Sequence, residues 1–564
     1  MKLTLGRYEE AVRRRAAELA PGVERVWQRD ASFWGGDAAR AKSVSNRLGW
    51  LDVAVEMRKR ADEIAQFAGQ VRADGFRDAV VLGMGGSSLA PEVLRQSIAD
   101  TVRLLDPSPK LHVLDTTDPA TILGVTRAID PATTLFFVSS KSGTTIEVNA
   151  LFACFHELVR GAKGARAGEN FVAITDEGTT LEALAREHGF RRCFVNPSDI
   201  GGRYSALSYF GLAPAAVAGV DVAKLLDRGV AAMEAAKAPD SEALLLGAAL
   251  GELALAGRDK LTLVVSPAIA SFGLWAEQLI AESTGKEGRG ILPVAGEPLA
   301  AAEAYGDDRA FVYLRLDGDE NAALGAHTAS LAAAGHPIIT IDLADAYDLG
   351  REFFRWEFAV AIAGRVLGIN PFDEPNVQES KDNTNRVLRE FEASGVLDIA
   401  AIDNMREPVV ITNAEHAASG DLRYVLSELL TGVRTPEYVA VTAYVRQTAE
   451  TDAAFEAIRS AVQRLCGVAT TLGYGPRFLH STGQLHKGGP ARGVFLQVTA
   501  ADGEDVAIPG MTFTFGQLKR AQAIGDFQSL ADHGRPVVRV HLGVDVGAGL
   551  AVLRGAVGSA ARAG

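Results

Sequence analysis

Cysteine is scarce. The chain has three in 564 residues, Cys154, Cys193 and Cys466, and they show no paired spacing. That excludes a disulfide framework and a cysteine-based zinc site, and it fits a reducing cytoplasm. The ten histidines include no His-x-x-x-His pair, so no metal is expected. No uncharged apolar stretch reaches the roughly 18 residues of a membrane-spanning helix. Even Leu244 to Leu255 is broken by Gly247 and Glu252. Met1 to Pro21 is rich in Arg and Glu and lacks the apolar core of a signal peptide. A cytoplasmic protein with no membrane partner is therefore expected. Positive charge is also in deficit. A formal net charge of −13 argues against a nucleic-acid surface, but it leaves room for an anionic small substrate held in a local cationic pocket. The phosphate-binding pattern GxxxxGK[ST] is absent.

What is present is a long run of alternating elements. Apolar residues make up 48% of the chain, ample for several cores, and the length implies two to four domains. Residues 1–75 read as an N-terminal helical segment, with helices from Arg7 to Leu19 and from Asp52 to Phe67. A first α/β unit spans 76–235. Its buried strands are Ala79 to Leu82, Leu111 to Leu114, Leu135 to Val138, Phe171 to Ile174 and Cys193 to Val195. A second cycle spans 236–395, with strands Leu261 to Val265, Phe311 to Leu314 and Pro337 to Ile341. A C-terminal α/β unit spans 396–564, with strands Tyr438 to Ala443, Val494 to Val498 and Val537 to His541. Strands alternating with helices imply parallel sheets covered on both faces. The last unit echoes the second: Tyr347-Asp348-Leu349-Gly350 and Phe513-Thr514-Phe515-Gly516 each open a helix, as in a diverged repeat. The Gly/Ala-rich stretch Gly547 to Gly564 reads as a frayed end.

Five segments carry candidate chemistry. Ser139-Ser140-Lys141-Ser142-Gly143-Thr144-Thr145 follows a buried strand and opens a helix. Its hydroxyls, the exposed backbone N–H groups, the helix dipole and the Lys141 charge suit a phosphate monoester; the alternative is a capped helix with a polar loop. Gly201-Gly202-Arg203-Tyr204-Ser205 allows close backbone approach beside a charge that does not titrate away; the alternative is a turn with a surface arginine. Glu282 lies in the last turn of a helix, where the dipole disfavours a carboxylate. That raises its pKa, as a general base requires, unless it is merely an exposed helix end. Asn370-Pro371-Phe372-Asp373 is a rigid turn that leads to Lys381 on a new helix. Leu479-His480-Ser481-Thr482-Gly483-Gln484-Leu485-His486-Lys487 is a polar cluster with two histidines six apart and no carboxylate or thiol to complete a metal site.

Together these segments resemble the phosphoglucose isomerase family, from about residue 40 to 390 in order. Gly85-Gly86-Ser87 resembles its first sugar-phosphate turn, and Ser140, Lys141, Ser142, Thr144 and Thr145 resemble its phosphate loop, the Ser-x-Ser-Gly-x-Thr element of sugar isomerase (SIS) domains. Gly201 to Ser205 resembles the segment around the active-site arginine. Glu282-Ser283-x-Gly285-Lys286 resembles the segment bearing the isomerisation base, and Asn370 through Lys381 the one ending in a catalytic lysine. The isomerase half of transaldolase–isomerase fusions is the subgroup most resembled. The resemblance implies two SIS-type doubly wound parallel-sheet domains of three αβα layers, plus the N-terminal helices and the C-terminal α/β unit. It also implies a homodimer.

Two departures stand out. Family members carry Leu-His-Ser-x-Gly-Gln soon after the base, but Pro293 to Tyr305 contains no histidine. The motif stands far downstream at Leu479 to Gln484, so the ring-opening role passes to His480 rather than to His327 or His336. Glu374 stands where the family has Gln, and Gln378 where it has Glu. A Gln donates a hydrogen bond to phosphate and a carboxylate cannot.

The resemblance implies an aldose–ketose isomerase that interconverts glucose 6-phosphate and fructose 6-phosphate through ring opening and an enediolate. His480 and Lys381 would open the ring, Glu282 would carry the proton between C2 and C1, and Arg203 would stabilise the enediolate. Gly86, Ser87 and the phosphate loop would hold the substrate, with no cofactor and no metal. The alternatives are another phosphosugar isomerase, one that also accepts mannose 6-phosphate, or a non-catalytic sugar-phosphate-binding SIS protein.

Overall fold

The computed structural model describes residues 1–104, 108–397, 408–412 and 421–563. The opening stretch of the C-terminal unit and residue 564 thus lie partly or wholly outside the described residues. Among the described residues, no helix is long and apolar enough to cross a membrane.

Among the described residues, the strands form three five-stranded sheets. The first is wholly parallel and runs Lys110–Leu114, Asp78–Gly83, Thr134–Ser139, Phe171–Asp176, Arg192–Asn196. Strands such as Thr134–Ser139 are buried along their whole length. That explains their continuous rather than alternating apolar sequence, because helices cover both faces. The strand order reverses between Asp78–Gly83 and Thr134–Ser139. The two loops leaving that switch point are 84–88 and 140–145, the place where open α/β sheets bind ligands.

The second and third sheets share one plan. The second runs Lys2–Thr4, Ile338–Leu343, Arg309–Leu316, Lys260–Val265, Leu292–Ala295. The third runs Val409–Thr412, Val537–His541, Gly493–Thr499, Tyr438–Tyr444, Ala469–Tyr474. In each, an antiparallel edge strand precedes four parallel strands in the same order. The C-terminal unit therefore repeats the second topologically. The repeat is registered differently from the sequence reading. The helix Phe515–Asp532 lies between the last two parallel strands and so matches Ala322–Ala333, while Leu349–Leu367 matches Val546–Ala563.

Two further expectations are corrected. Residues 1–75 are not purely helical, because Lys2–Thr4 forms the edge strand of the second sheet against Ile338–Thr340. The Gly/Ala-rich C-terminal stretch is not frayed, because Val546–Ala563 is a helix whose Leu550, Leu553, Ala556 and Val557 enter the third core.

The units interlock. The edge strands Leu292–Ala295 and Ala469–Tyr474 lie side by side, with Leu292, Val294, Tyr438, Ala469 and Leu485 in one apolar cluster. The third unit's helix Phe515–Asp532 also covers the first sheet: Phe515, Leu518, Ala521 and Ile524 pack with Val80, Leu82, Phe136 and Val138. This burial seats the third unit's loops at the ligand edge of the first sheet.

Candidate active site

The phosphate loop leads into the helix Ile146–Lys163, whose N-cap Thr145 makes no side-chain capping bond. The Thr145 side chain thus does not occupy the helix start, where backbone N–H groups favour an anion. Thr144, Thr145, Glu147, Ser380, Lys381 and His480 line a small, partly open cavity of about 70 Å³ at this point. Small-molecule pockets are typically about 300–1,000 Å³, so this cavity has room for one end of a hexose phosphate, with the rest extending beyond it.

His480 ends the short helical turn Arg477–His480 of the third unit, and three anchors fix that loop. Arg477 donates to both oxygens of Asp115 on the first unit, at 2.8 Å each. His480 Nε2 lies 3.0 Å from Glu147 Oε1. Gln484 donates to the Gly285 carbonyl at 2.9 Å and to Asn376 Oδ1 at 2.8 Å. Glu147 is buried, and burial alone would raise its pKa. The adjacent His480 outweighs this and holds the carboxyl below its usual range.

The second half of the site is built round Arg203, which is 1% exposed. Its Nη1 donates to Glu282 Oε1 at 3.1 Å and to Glu374 Oε2 at 3.0 Å. Nη2 donates to the carbonyls of Pro371 and Asp373, and Nε to Ser283 Oγ at 2.8 Å. The rigid Asn370–Asp373 turn thus serves as a socket for the guanidinium. Glu282 lies near the end of the helix Phe272–Thr284 and is buried. Burial pushes its carboxyl upward, Arg203 opposes this, and the nearby Glu374 charge adds to the rise. Burial and the Arg203 charge bring Lys286 down to about 8, although its ammonium contacts Asp373. Gln278, one turn before Glu282, joins the two halves. Its Nε2 donates to Glu282 Oε2 at 3.0 Å and to the His480 carbonyl at 2.8 Å.

Thr144, Thr145, Lys381 and His480 therefore meet at one cavity, with Glu282 and Arg203 linked to them through Gln278. The rest of the phosphate loop is placed differently. Ser140 is buried, accepts from the Gly143 N–H at 3.1 Å and contacts Thr145 Oγ1 at 3.1 Å. Ser142 pairs with Thr144 at 2.9 Å. These two serines shape the loop. Lys141 is the clear correction: it does not line the cavity. Its ammonium pairs with Asp176, at the end of the neighbouring strand, and donates to the Ser198 carbonyl at 2.8 Å. A buried carboxylate at that strand end captures the charge that the sequence offered to phosphate. Gly86 and Ser87 sit in the turn packed on Gly202–Arg203, and a Cβ at Gly86 would come within 1.9 Å of the Gly202 carbonyl. His327 and His336 lie in the second unit away from the cavity, among Tyr305 and Phe311.

Sequence reasoning missed Glu147, Gln278, Arg477 and Asp115. A Glu in the first turn of a helix is ordinary dipole chemistry, so nothing local marked Glu147. Gln278 carried a faint signal in its spacing, one turn before the base.

The shared hold on Arg203 leads to a measurable expectation. In Glu374→Gln, a negative charge beside Glu282 is lost, so the base ionises at lower pH. The acid limb of kcat/KM should move down by up to about one unit. A pH–rate profile checks this, and an unmoved limb would show that Glu374 does not tune the base.

Residues 39–289 match the sequence model of the family described as phosphoglucose isomerase. A glucose-6-phosphate isomerase of Rubrobacter xylanophilus is 31% identical over 379 residues, which cover 57% of this chain and 85% of that protein. One from Symbiobacterium thermophilum is 31% identical over 390 residues, covering 60% and 86%. Among solved structures, the hypothetical protein TT0462 from Thermus thermophilus superposes with a TM-score of 0.59 at 25% identity, over 69% of this chain and 99% of that one. With Leu479 to Gln484 displaced but the segments around Ser140, Arg203 and Glu282 in order, and with relatives 31% identical over most of their length, this chain belongs to the phosphoglucose isomerase family.

Proposed function

We propose that this chain interconverts glucose 6-phosphate and fructose 6-phosphate. The observation that carries the reading is the double hydrogen bond of Gln278, which places the base Glu282 and the ring-opening His480 on either side of one amide. The phosphate sits against the Thr144 and Thr145 hydroxyls and the open helix start. Binding it there positions the reacting carbons. In ring opening the C1–O5 bond breaks, the O1 proton leaves and O5 gains one. His480 moves that proton, and the Lys381 ammonium steadies the charge growing on the ring oxygen. Glu282 then takes the C2 proton and returns it to C1, while the C2 hydroxyl proton passes to O1. Arg203 lowers the energy of the enediolate through its fixed charge. The donors of Arg203 are held by protein atoms, so it needs no reorganisation as that charge develops.

The reading includes a cytoplasmic setting and, from the family resemblance, a homodimer. The histidine in the cavity comes from the same chain as the base, so pairing would not be required to complete this site. A coupled assay tests the reading: purified chain, fructose 6-phosphate as substrate, and glucose 6-phosphate formation followed by dehydrogenase-linked reduction of NADP. Turnover is expected. A parallel arm with mannose 6-phosphate measures selectivity. Binding of either sugar phosphate without turnover would move the chain to a non-catalytic role.

A further inference from the structure

Glu147 does not stand alone opposite His480. Its Oε1 also accepts from Gln522 Nε2 at 2.7 Å, and Gln522 Oε1 accepts from Thr117 Oγ1 at 2.8 Å. Thr117, Glu147 and Gln522 are 0%, 4% and 1% exposed. Thr117 follows the edge strand Lys110–Leu114 of the first sheet. Gln522 lies on the third unit's helix Phe515–Asp532, which the apolar contacts with the first sheet hold in place. One turn earlier on that helix, Lys519 donates to Asp118 Oδ2 at 2.9 Å. The residue after Thr117 is thus tied to the same helix face. His480 and Gln522 both come from the third unit and close on one carboxylate of the first.

We propose that Gln522 and Thr117 are positioning residues for ring opening, holding the Glu147 carboxylate so that it fixes the His480 imidazole at the cavity. The proposal rests on the isomerase reading above. The argument is one of satisfiability. A buried carboxylate with a single donor can swing, and an amide can flip between two orientations. The ionised Glu147 accepts only, so the Gln522 nitrogen must face it and the Gln522 oxygen must face Thr117. The Thr117 hydroxyl donates to that oxygen and holds the amide in place. Glu147 Oε1 then accepts two bonds from fixed directions, one of them from His480 Nε2. His480 Nδ1 has no protein partner among the described residues and remains for the sugar. The third unit would thus contribute two things, the histidine and the clamp on its carboxylate partner. The proton transfer at Glu282 uses neither, so a defect in this clamp falls on ring opening alone.

The test compares Gln522→Leu, Thr117→Val and Thr117→Ser with the wild-type chain. On cyclic hexose 6-phosphate, Gln522→Leu should lower kcat by about 10- to 100-fold, the cost of a misplaced catalytic group, with KM little changed. Thr117→Val should show a smaller loss, and Thr117→Ser should retain activity. Combining Thr117→Val with Gln522→Leu should add nothing, because one acts through the other. On a four-carbon aldose 4-phosphate, too short to cyclise, the variants should match the wild type. Equal losses on both substrates, or additive losses in the double variant, would overturn the proposal. A second readout needs no turnover. Imidazole ¹⁵N shifts of His480, assigned with a His480→Asn control, should report one Nε2-protonated tautomer in the wild type and a mixture in Gln522→Leu. An unchanged tautomer would overturn the proposal even if the chain proves not to be an isomerase. A mixture in an inactive chain would leave the clamp standing and sink the isomerase reading alone.

Discussion

Glu282→Gln is expected to retain the fold and sugar-phosphate binding while lowering turnover by about 10²- to 10⁴-fold, the usual worth of a positioned acid–base group. The substitution keeps the side-chain length and the contact with Gln278 but removes the carboxylate held between Arg203 and Gln278. An amide cannot take a proton from carbon, so the loss should fall on kcat. It should fall equally on cyclic and acyclic substrates, because both pass through the enediolate. The sign of the pH effect in the wild type follows from the raised Glu282 pKa. Activity should decline on the acid side at a higher pH than for an ordinary exposed carboxylate, whose pKa is about 4.3. Steady-state kinetics with an inhibitor-binding control checks this. Near-normal turnover would remove Glu282 from the mechanism.

His480→Asn should produce a second large effect with a different signature. Loss of the imidazole should lower the rate on cyclic substrate by about 10²-fold or more and leave an acyclic substrate largely unaffected. The geometry makes this a demanding test. His480 is bound to Glu147 through its side chain and to Gln278 through its backbone, so the variant retains the backbone tie to the base. Equal damage to both substrates would mark a structural histidine. Wild-type rates on the cyclic sugar would show that proximity to Lys381 and the phosphate loop carries no catalytic consequence.

Most of the parallel-sheet architecture could be read in advance, because buried strands such as Leu135 to Val138 are uninterrupted apolar runs ended by polar turns. The weaker elements were harder. Lys2–Thr4 is three residues long and gains its identity only by pairing with a strand more than three hundred residues away. The terminal helix 546–563 reads as a tail because Gly and Ala carry little apolar signal, yet their small size does not prevent leucines at helical spacing from docking. The candidate site divides the same way. Arg203, Glu282, Lys381 and His480 stood out because the segments that carry them resemble those of one family, taken together rather than singly. Lys141 misled, because a charge in a loop does not reveal which neighbouring strand holds its counter-ion. Glu147 and Gln522 were silent, since their significance lies in meeting each other and His480 across the boundary between the first and third units.

The matched plans of the second and third sheets have a consequence for how the chain can change. The helix Phe272–Thr284 ends with the base, while its counterpart Ala449–Cys466 ends in Gln463-Arg464-Leu465-Cys466 with no carboxylate. The loop after Leu292–Ala295 has no histidine, while the loop after Ala469–Tyr474 carries His480. Two identical copies of such a unit would each have to preserve both groups. In this chain one copy of the plan carries Glu282 and the other carries His480, so a change in the sheet around either residue leaves the strands that carry the other intact.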